Sequence, residues 1–223
     1  MSAPDNALWQ RCWRDQETAF HQKVTNTQLV RFWSSLGLDP AARVFVPLCG
    51  KSLDMLWLAA QGHGVLGVEL SPIATRAFFK ENGMQAQRRK MGAFTLWQSG
   101  RIGILCGDFF SLTAAHLGDI AAVFDRASLT ALPQSLRADY VRHLQAILPA
   151  DGKILLLTTE EPLSGETGYQ PHAADDEIVA LYAATFNIQL SHVDSVLEPD
   201  TDPASFEMLQ VEKKVYLLTP RQG

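Results

Sequence analysis

The 223-residue sequence has only three cysteines, Cys12, Cys49 and Cys106, and no two form a CxxC pair. That scarcity excludes a disulfide framework and a cysteine-based zinc site, and no metal is expected. Positive charge is also in short supply, with 19 Lys and Arg against 24 Asp and Glu and a formal charge of −5. A nucleic-acid partner normally requires a concentrated basic face. The most basic run, Arg88-Arg89-Lys90, reads as a short solvated surface. No apolar run approaches the length of a membrane span. The opening residues, MSAPDNALWQ, lack the basic start and apolar stretch of a signal peptide. The expectation is a reduced, cytoplasmic protein that engages neither nucleic acid nor membrane. What is present is 47 % apolar and 19 % charged residues, ordinary for a globular chain and enough to bury one substantial core.

Short apolar runs alternate with helical patterns. Val44-Phe45-Val46 is followed by a helix through LDMLWLAAQG, which Ser52 caps and Gly62 ends. VLGVEL is a second run, and Ser71-Pro72 opens another helix through Lys80. IGILCGDFF and IAAVFDRA are the third and fourth runs. The helical SLRADYVRHLQAIL then turns through PADGKILLLTTE into a fifth. This alternation predicts a parallel sheet with helices on both faces. The rhythm then changes. EIVALYAATF is a helix, and IQLSHVDSV and MLQVEKKVYLLT read as an antiparallel pair joined by the mobile, acidic EPDTDPAS. Residues 5–36 form one or two helices outside the alternation.

Two phosphate-binding signatures are decoys. FVPLCGKS ends in the Gly-Lys-Ser of a P-loop, but the position that needs the first glycine is Phe45, and Pro47 removes an N–H. Gly62, Gly64 and Gly67 match GxGxxG, yet they end a helix and enter a strand, the reverse of a dinucleotide fingerprint.

The ends of the first four strands carry a more coherent set. Gly50 follows the first strand, and Glu69 ends the second, where a carboxylate can accept both hydroxyls of a ribose. Ligands of open α/β sheets sit beyond these carboxyl ends. Asp108 follows the third strand, placed for an exocyclic amine of adenine, with Phe109 and Phe110 able to flank a flat base. Asp125-Arg126 ends the fourth, at the reacting end. An acid after a strand is also a common turn or cap residue. Taken together, the set favours a nucleoside-type ligand without phosphates. Trp9 and Trp13, four apart, share a helix face and by themselves read as core contacts. His21 reads as a structural histidine, Cys49 as a packing residue, and Lys51 as solvated or neutralising a carboxylate.

The motifs WQRCW with TAFH downstream, VFVPLCGKSLDMLWLAAQGHGVLGVELS, CGDFF, FDRASLTALP and the closing KKVYLLT resemble the thiopurine S-methyltransferase family of class I S-adenosylmethionine-dependent enzymes. The resemblance implies a Rossmann-like, seven-stranded, mostly parallel α/β sheet with one antiparallel strand. It implies a single domain over 1–223, with residues 1–37 as a helical cap over the cofactor site. By position it implies that Trp13, Leu48, Gly50, Glu69, Gly107, Asp108 and Arg126 bind S-adenosyl-L-methionine, and that Phe20 and Trp9 face the substrate. The implied partner is a small thiol or soft-anion acceptor, methylated by a monomer.

Methyl transfer from a sulfonium needs no acid for its neutral leaving group, and its nucleophile is the thiolate. Positioning and exclusion of water then carry most of the catalysis, with the aromatic cap closing as a lid. No catalytic base is assigned, Asp125 being a weaker candidate with a structural reading. Two substrate-side elements depart from the family. TGYQPHA, 167–173, replaces a Gly-Pro-Pro-Phe segment, and DTDPASFEMLQ lacks a second arginine. A selenium, tellurium or other small acceptor and a non-catalytic S-adenosylmethionine-binding module therefore stay open as alternatives, while the sheet and Glu69 suggest an NAD-dependent oxidoreductase, against which the missing fingerprint after the first strand counts.

Overall fold

In the computed structural model the apolar runs lie side by side as one nine-stranded sheet, and the structure describes residues 3–18, 20–160, 175–199 and 208–221. The strands are β1 Arg43–Val46, β2 Gly64–Glu69, β3 Gln87–Met91, β4 Phe94–Ser99, β5 Ile102–Cys106, β6 Ile120–Arg126, β7 Lys153–Glu160, β8 Phe186–Pro199 and β9 Met208–Pro220. The helices are α1 Ala3–Arg14, α2 Thr27–Phe32, α3 Asp54–Ala60, α4 Pro72–Glu81, α5 Ala114–Leu117, α6 Gln134–Ile147 and α7 Asp176–Tyr182. The order across the sheet is β3-β4-β5-β2-β1-β6-β7-β9-β8. Strands β5, β2, β1, β6 and β7 are parallel, and β9 inserts antiparallel between β7 and β8.

Both faces of the central strands are covered, so these strands are apolar throughout rather than alternating. The period of two instead divides their side chains between two cores. Val44 and Val46 pack with Leu29, Trp33, Met55, Leu58 and Phe78 from α2, the turn after it, α3 and α4. Phe45 points the other way and packs with Tyr140, Val141, Leu144 and Tyr182 from α6 and α7. The β7 side chains divide likewise, with Ile154 and Leu156 on one side and Leu155 and Leu157 on the other.

The sheet has nine strands where seven were expected. The additional pair is the hairpin β3–β4, added at the edge beyond β5. Its tight turns, Gly92-Ala93 and Gly100-Arg101, each have a glycine at positive φ in the first central position, as two-residue hairpins favour. Strand β3 reads QRRKM and is exposed over most of its length, so it carries no apolar period to reveal it. The Arg88 guanidinium lies over the Trp97 ring, 5.1 Å from its centroid, close enough for a cation–π contact. Charges along an edge strand also discourage further strand pairing.

The amino-terminal residues divide between two locations. α1 lies over the carboxyl ends of the strands, where Trp9 and Trp13 reach a cleft. α2 and the 3₁₀ turn Trp33–Leu36 instead pack on the sheet, burying Leu29, Trp33 and Leu36. TGYQPHA lies outside the described residues, as do residues 200–207 of the acidic connection and of the DTDPASFEMLQ segment. Among the described residues no helix is long and apolar enough to cross a membrane.

Gly67, part of the false GxGxxG, has a packing reason. A Cβ there would meet Cys49 Sγ at 2.6 Å and Met55 Cε at 3.0 Å. Replacing Gly67 by Ala should lower stability by about 1–3 kcal/mol through overpacking. The expected observation is a lower urea midpoint with an unchanged slope; an unaltered midpoint would show that the loop moves aside freely.

Candidate active site

A cleft of about 140 Å³ opens where β1, β2 and β6 end. After β1 the chain runs Pro47-Leu48-Cys49-Gly50, and the Cys49 N–H donates to Val68 O, fastening the loop to β2. Leu48 (φ +43), Gly50 (φ +53) and, after β6, Ala127 (φ +64) all adopt left-handed backbone and all line the cleft. For Leu48 and Ala127 that conformation is costly, and strain of this kind collects at functional sites. At Gly50 a Cβ would also press on the Trp13 indole at 3.1 Å. The Trp13 ring thus lies directly over the loop, and Phe20 meets both Trp9 and Trp13 edge to face, with centroids 5.5 and 5.4 Å apart.

Glu69 closes the floor. One carboxylate oxygen accepts the Gly50 N–H at 2.9 Å and the other accepts the Ser71 N–H at 2.6 Å. Ser71 in turn caps α4, accepting from the Ala74 N–H. The side chain therefore joins the β1 loop to the β2 turn, and the carboxylate retains acceptor capacity. Burial pushes the Glu69 carboxyl up to about 7, against the opposing effect of the backbone N–H donors from Ser71, Gly50 and Leu70.

The opposite wall is cationic. Arg126 Nε donates to Asp54 Oδ2 at 2.9 Å. Asp54 is almost fully buried and also accepts the Asn26 N–H at 2.8 Å and the Ser52 hydroxyl at 2.9 Å. A carboxylate so fully engaged fixes the guanidinium and at the same time fastens the residues before α2 to the site. Lys51 Nζ lies 2.9 Å from Glu81, and His21 joins the lining from the loop after α1. Asp125 faces away from the cleft: the Tyr140 hydroxyl and the Ser128 N–H donate to it, and burial raises its carboxyl. Burial likewise keeps the Cys49 thiol protonated, with Glu69 adding to the effect.

Seven of the nine residues expected at the site, Trp9, Trp13, Phe20, Leu48, Gly50, Glu69 and Arg126, line this one cleft. Gly107 and Asp108 are outside the lining. They stand one strand away, with the Gly107 N–H donating to Glu69 O. Asp108 caps a short 3₁₀ turn by accepting the Phe110 N–H, and Asn6 of α1 donates to it at 3.3 Å. Phe109, expected beside a base, is buried in the core, tilted against Tyr140 at 4.8 Å. Sequence reasoning missed Asp54, whose partner Arg126 is 72 positions away. It also missed Ser128, which donates to Pro47 O and links the β6 and β1 loops.

The fold, with a cleft at its strand ends, has its counterparts among solved S-adenosylmethionine-dependent methyltransferases. A solved methyltransferase from Anabaena variabilis superposes with a TM-score of 0.63 at 15 % identity, covering 99 % of this chain and 96 % of that one. The Burkholderia thailandensis 1,6-didemethyltoxoflavin-N1-methyltransferase, solved with S-adenosylhomocysteine, gives 0.61 at 17 % identity over 98 % and 92 %. The model of the family Thiopurine S-methyltransferase (TPMT) matches residues 4–221, and the chain belongs to that family. A thiopurine S-methyltransferase of Stutzerimonas stutzeri is 51 % identical, covering 100 % of this chain and 94 % of the relative. One from Bordetella petrii is 44 % identical over 98 % and 100 %. The cofactor is S-adenosylmethionine, and the enzyme methylates small molecules.

If the ionised Glu69 is the form that accepts the ribose hydroxyls, affinity depends on pH with a definite sign. Below about 7 the carboxyl gains a proton and loses acceptor capacity. The dissociation constant for S-adenosylhomocysteine should rise about tenfold between pH 8 and pH 6. Calorimetric titration across that range checks this, and a flat profile would remove Glu69 from the ribose.

Proposed function

We propose that the enzyme transfers a methyl group to the sulfur of a small aromatic thiol of the thiopurine type. The carrying observation is that one cleft combines an acidic floor at Glu69, a cation at Arg126 and a cover of Trp9, Trp13 and Phe20. In this reading Glu69 holds the ribose, while Leu48 and Gly50 receive the methionine side. Gly107 and Asp108 extend the same line toward the adenine, since the Gly107 N–H is bonded to the backbone of Glu69 itself. Trp13 covers the cofactor, and Trp9 and Phe20 offer flat apolar walls to an aromatic acceptor. Of residues 1–37, α1 with Phe20 and His21 supplies the cover that faces the ligand, while α2 and the turn after it belong to the sheet's core.

The residues fit this cofactor on their own geometry. The Glu69 carboxylate has acceptor capacity left beyond its backbone donors, and the Gly50 loop is open to close approach because no Cβ stands there. When bound, the cofactor supplies an electrophilic methyl group whose departure leaves a neutral thioether. The protein's part is to hold the acceptor sulfur in line, exclude water through the aromatic cover, and favour its anion through Arg126. Asp54 keeps that guanidinium in place. In this reading the protein acts as a monomer in the cytoplasm, a reduced setting with which three free cysteines accord.

The test is methylation of 6-mercaptopurine and thiophenol, with selenite and tellurite run alongside. S-methyl products are expected from both thiols. Arg126→Gln should lower kcat/KM for them by roughly 10- to 100-fold, the loss of one charged contact to a developing or bound anion. Cofactor binding without turnover of any thiol would contradict the sulfur reading.

A further inference from the structure

His21 differs from the other described histidines. His63 accepts the Trp33 indole N–H at 2.8 Å and bonds Ala42 O through its other nitrogen. His116 bonds Thr113, while His143 packs on Phe109 and Phe110 and His192 on Phe32. None of these lines the cleft, although the buried Nε2 of His143 also lacks a hydrogen-bond partner. The His21 imidazole instead lines the cleft together with Trp9, Trp13, Phe20, Lys51 and Arg126, and neither ring nitrogen has a hydrogen-bond partner among the described residues.

The other polar groups of the cleft are unsuited to taking a proton from an acceptor. Glu69 is held by two backbone donors at the ribose position, Arg126 and Lys51 carry no acceptor, and Cys49 is a buried protonated thiol. We propose that His21 is the general base of the reaction, taking the thiol proton of the acceptor so that sulfur meets the methyl group as a thiolate beside Arg126. This rests on the sulfur-acceptor reading given above.

The electrostatics suit that role. Burial lowers the affinity of the ring for a proton, as do Lys51 from the β1 loop, Arg126 from the end of β6 and Lys23 from its own loop; Glu81 at the end of α4 opposes them. The imidazole is therefore neutral at neutral pH and available as an acceptor. A thiolate formed alongside supplies the counter-charge that lets the imidazolium exist, so proton transfer is tied to occupancy by the acceptor. In the balance of the step, the S–H bond breaks, its electron pair stays on sulfur, and the proton passes to an imidazole nitrogen. The sulfur pair forms the new S–C bond, and the pair of the old C–S bond leaves with the neutral thioether. The imidazolium then returns its proton to water.

The test titrates 6-mercaptopurine into the protein saturated with S-adenosylhomocysteine, at a pH one unit below the ionisation of the free acceptor. Thiolate absorbance reports the bound form, and calorimetry in two buffers of different ionisation enthalpy counts protons released. Wild type should bind the thiolate with close to zero protons released, because His21 keeps the proton. His21→Gln should either bind the protonated thiol or release about one proton per thiolate. Its kcat/KM should fall roughly 100-fold on the acid side and recover as the free acceptor ionises. One proton released by wild type, a protonated thiol in wild type, or a variant indistinguishable from it would each overturn the proposal. The wild-type proton count decides the question even if the variant is unstable. Absence of thiol turnover by wild type would instead remove the sulfur reading, and this proposal with it.

Discussion

The structure of the site depends on one buried carboxylate. Glu69 ends β2 and holds the Gly50 and Ser71 N–H groups with its two oxygens. Without it, two adjacent loops would each carry a backbone donor facing a poorly solvated cleft, which is costly. Its position also explains why the protein tolerates left-handed backbone at Leu48 nearby. The loop cannot relax without giving up the bond to Glu69 and the one from Cys49 to Val68. Burial that raises the acid to about 7 is the consequence of placing an acceptor where water is scarce.

A second carboxylate, Asp54, does the same for the other wall. It gathers Arg126, Ser52 and the backbone before α2, so the guanidinium and the entry to the amino-terminal segment are fixed together. Between these two anchors lies Trp13 over Gly50, with Phe20 edge-on to it. The cleft thus has rigid acidic and cationic walls under an aromatic cover carried by α1. Such an arrangement suits a ligand with a polar nucleoside at one end and a reacting centre that must be kept dry.

The central strands were legible because both of their faces are buried, which makes them nearly continuous apolar runs such as VLGVEL and IGILC. Glu69 was legible by its place at the end of such a run. The β3–β4 hairpin was not, because an edge strand reading QRRKM faces solvent and leaves no apolar period. The glycines of its turns carried the only local signal. Asp54 escaped notice because its meaning lies in a partner 72 residues away, which no local pattern records. Phe109 was expected beside the ligand, but the turn that Asp108 caps directs it inward onto Tyr140. Leu29, Trp33 and Leu36 look like a continuation of the amino-terminal cap in sequence, yet their apolar faces find the sheet.

A crystal structure of the protein with S-adenosylhomocysteine would test the central claim most directly. The ribose hydroxyls should lie within hydrogen-bond distance of the two Glu69 oxygens, with both oxygens still holding the Gly50 and Ser71 N–H groups. A ribose bound elsewhere, with Glu69 touching only the protein backbone, would contradict the account and reduce the carboxylate to a structural clasp.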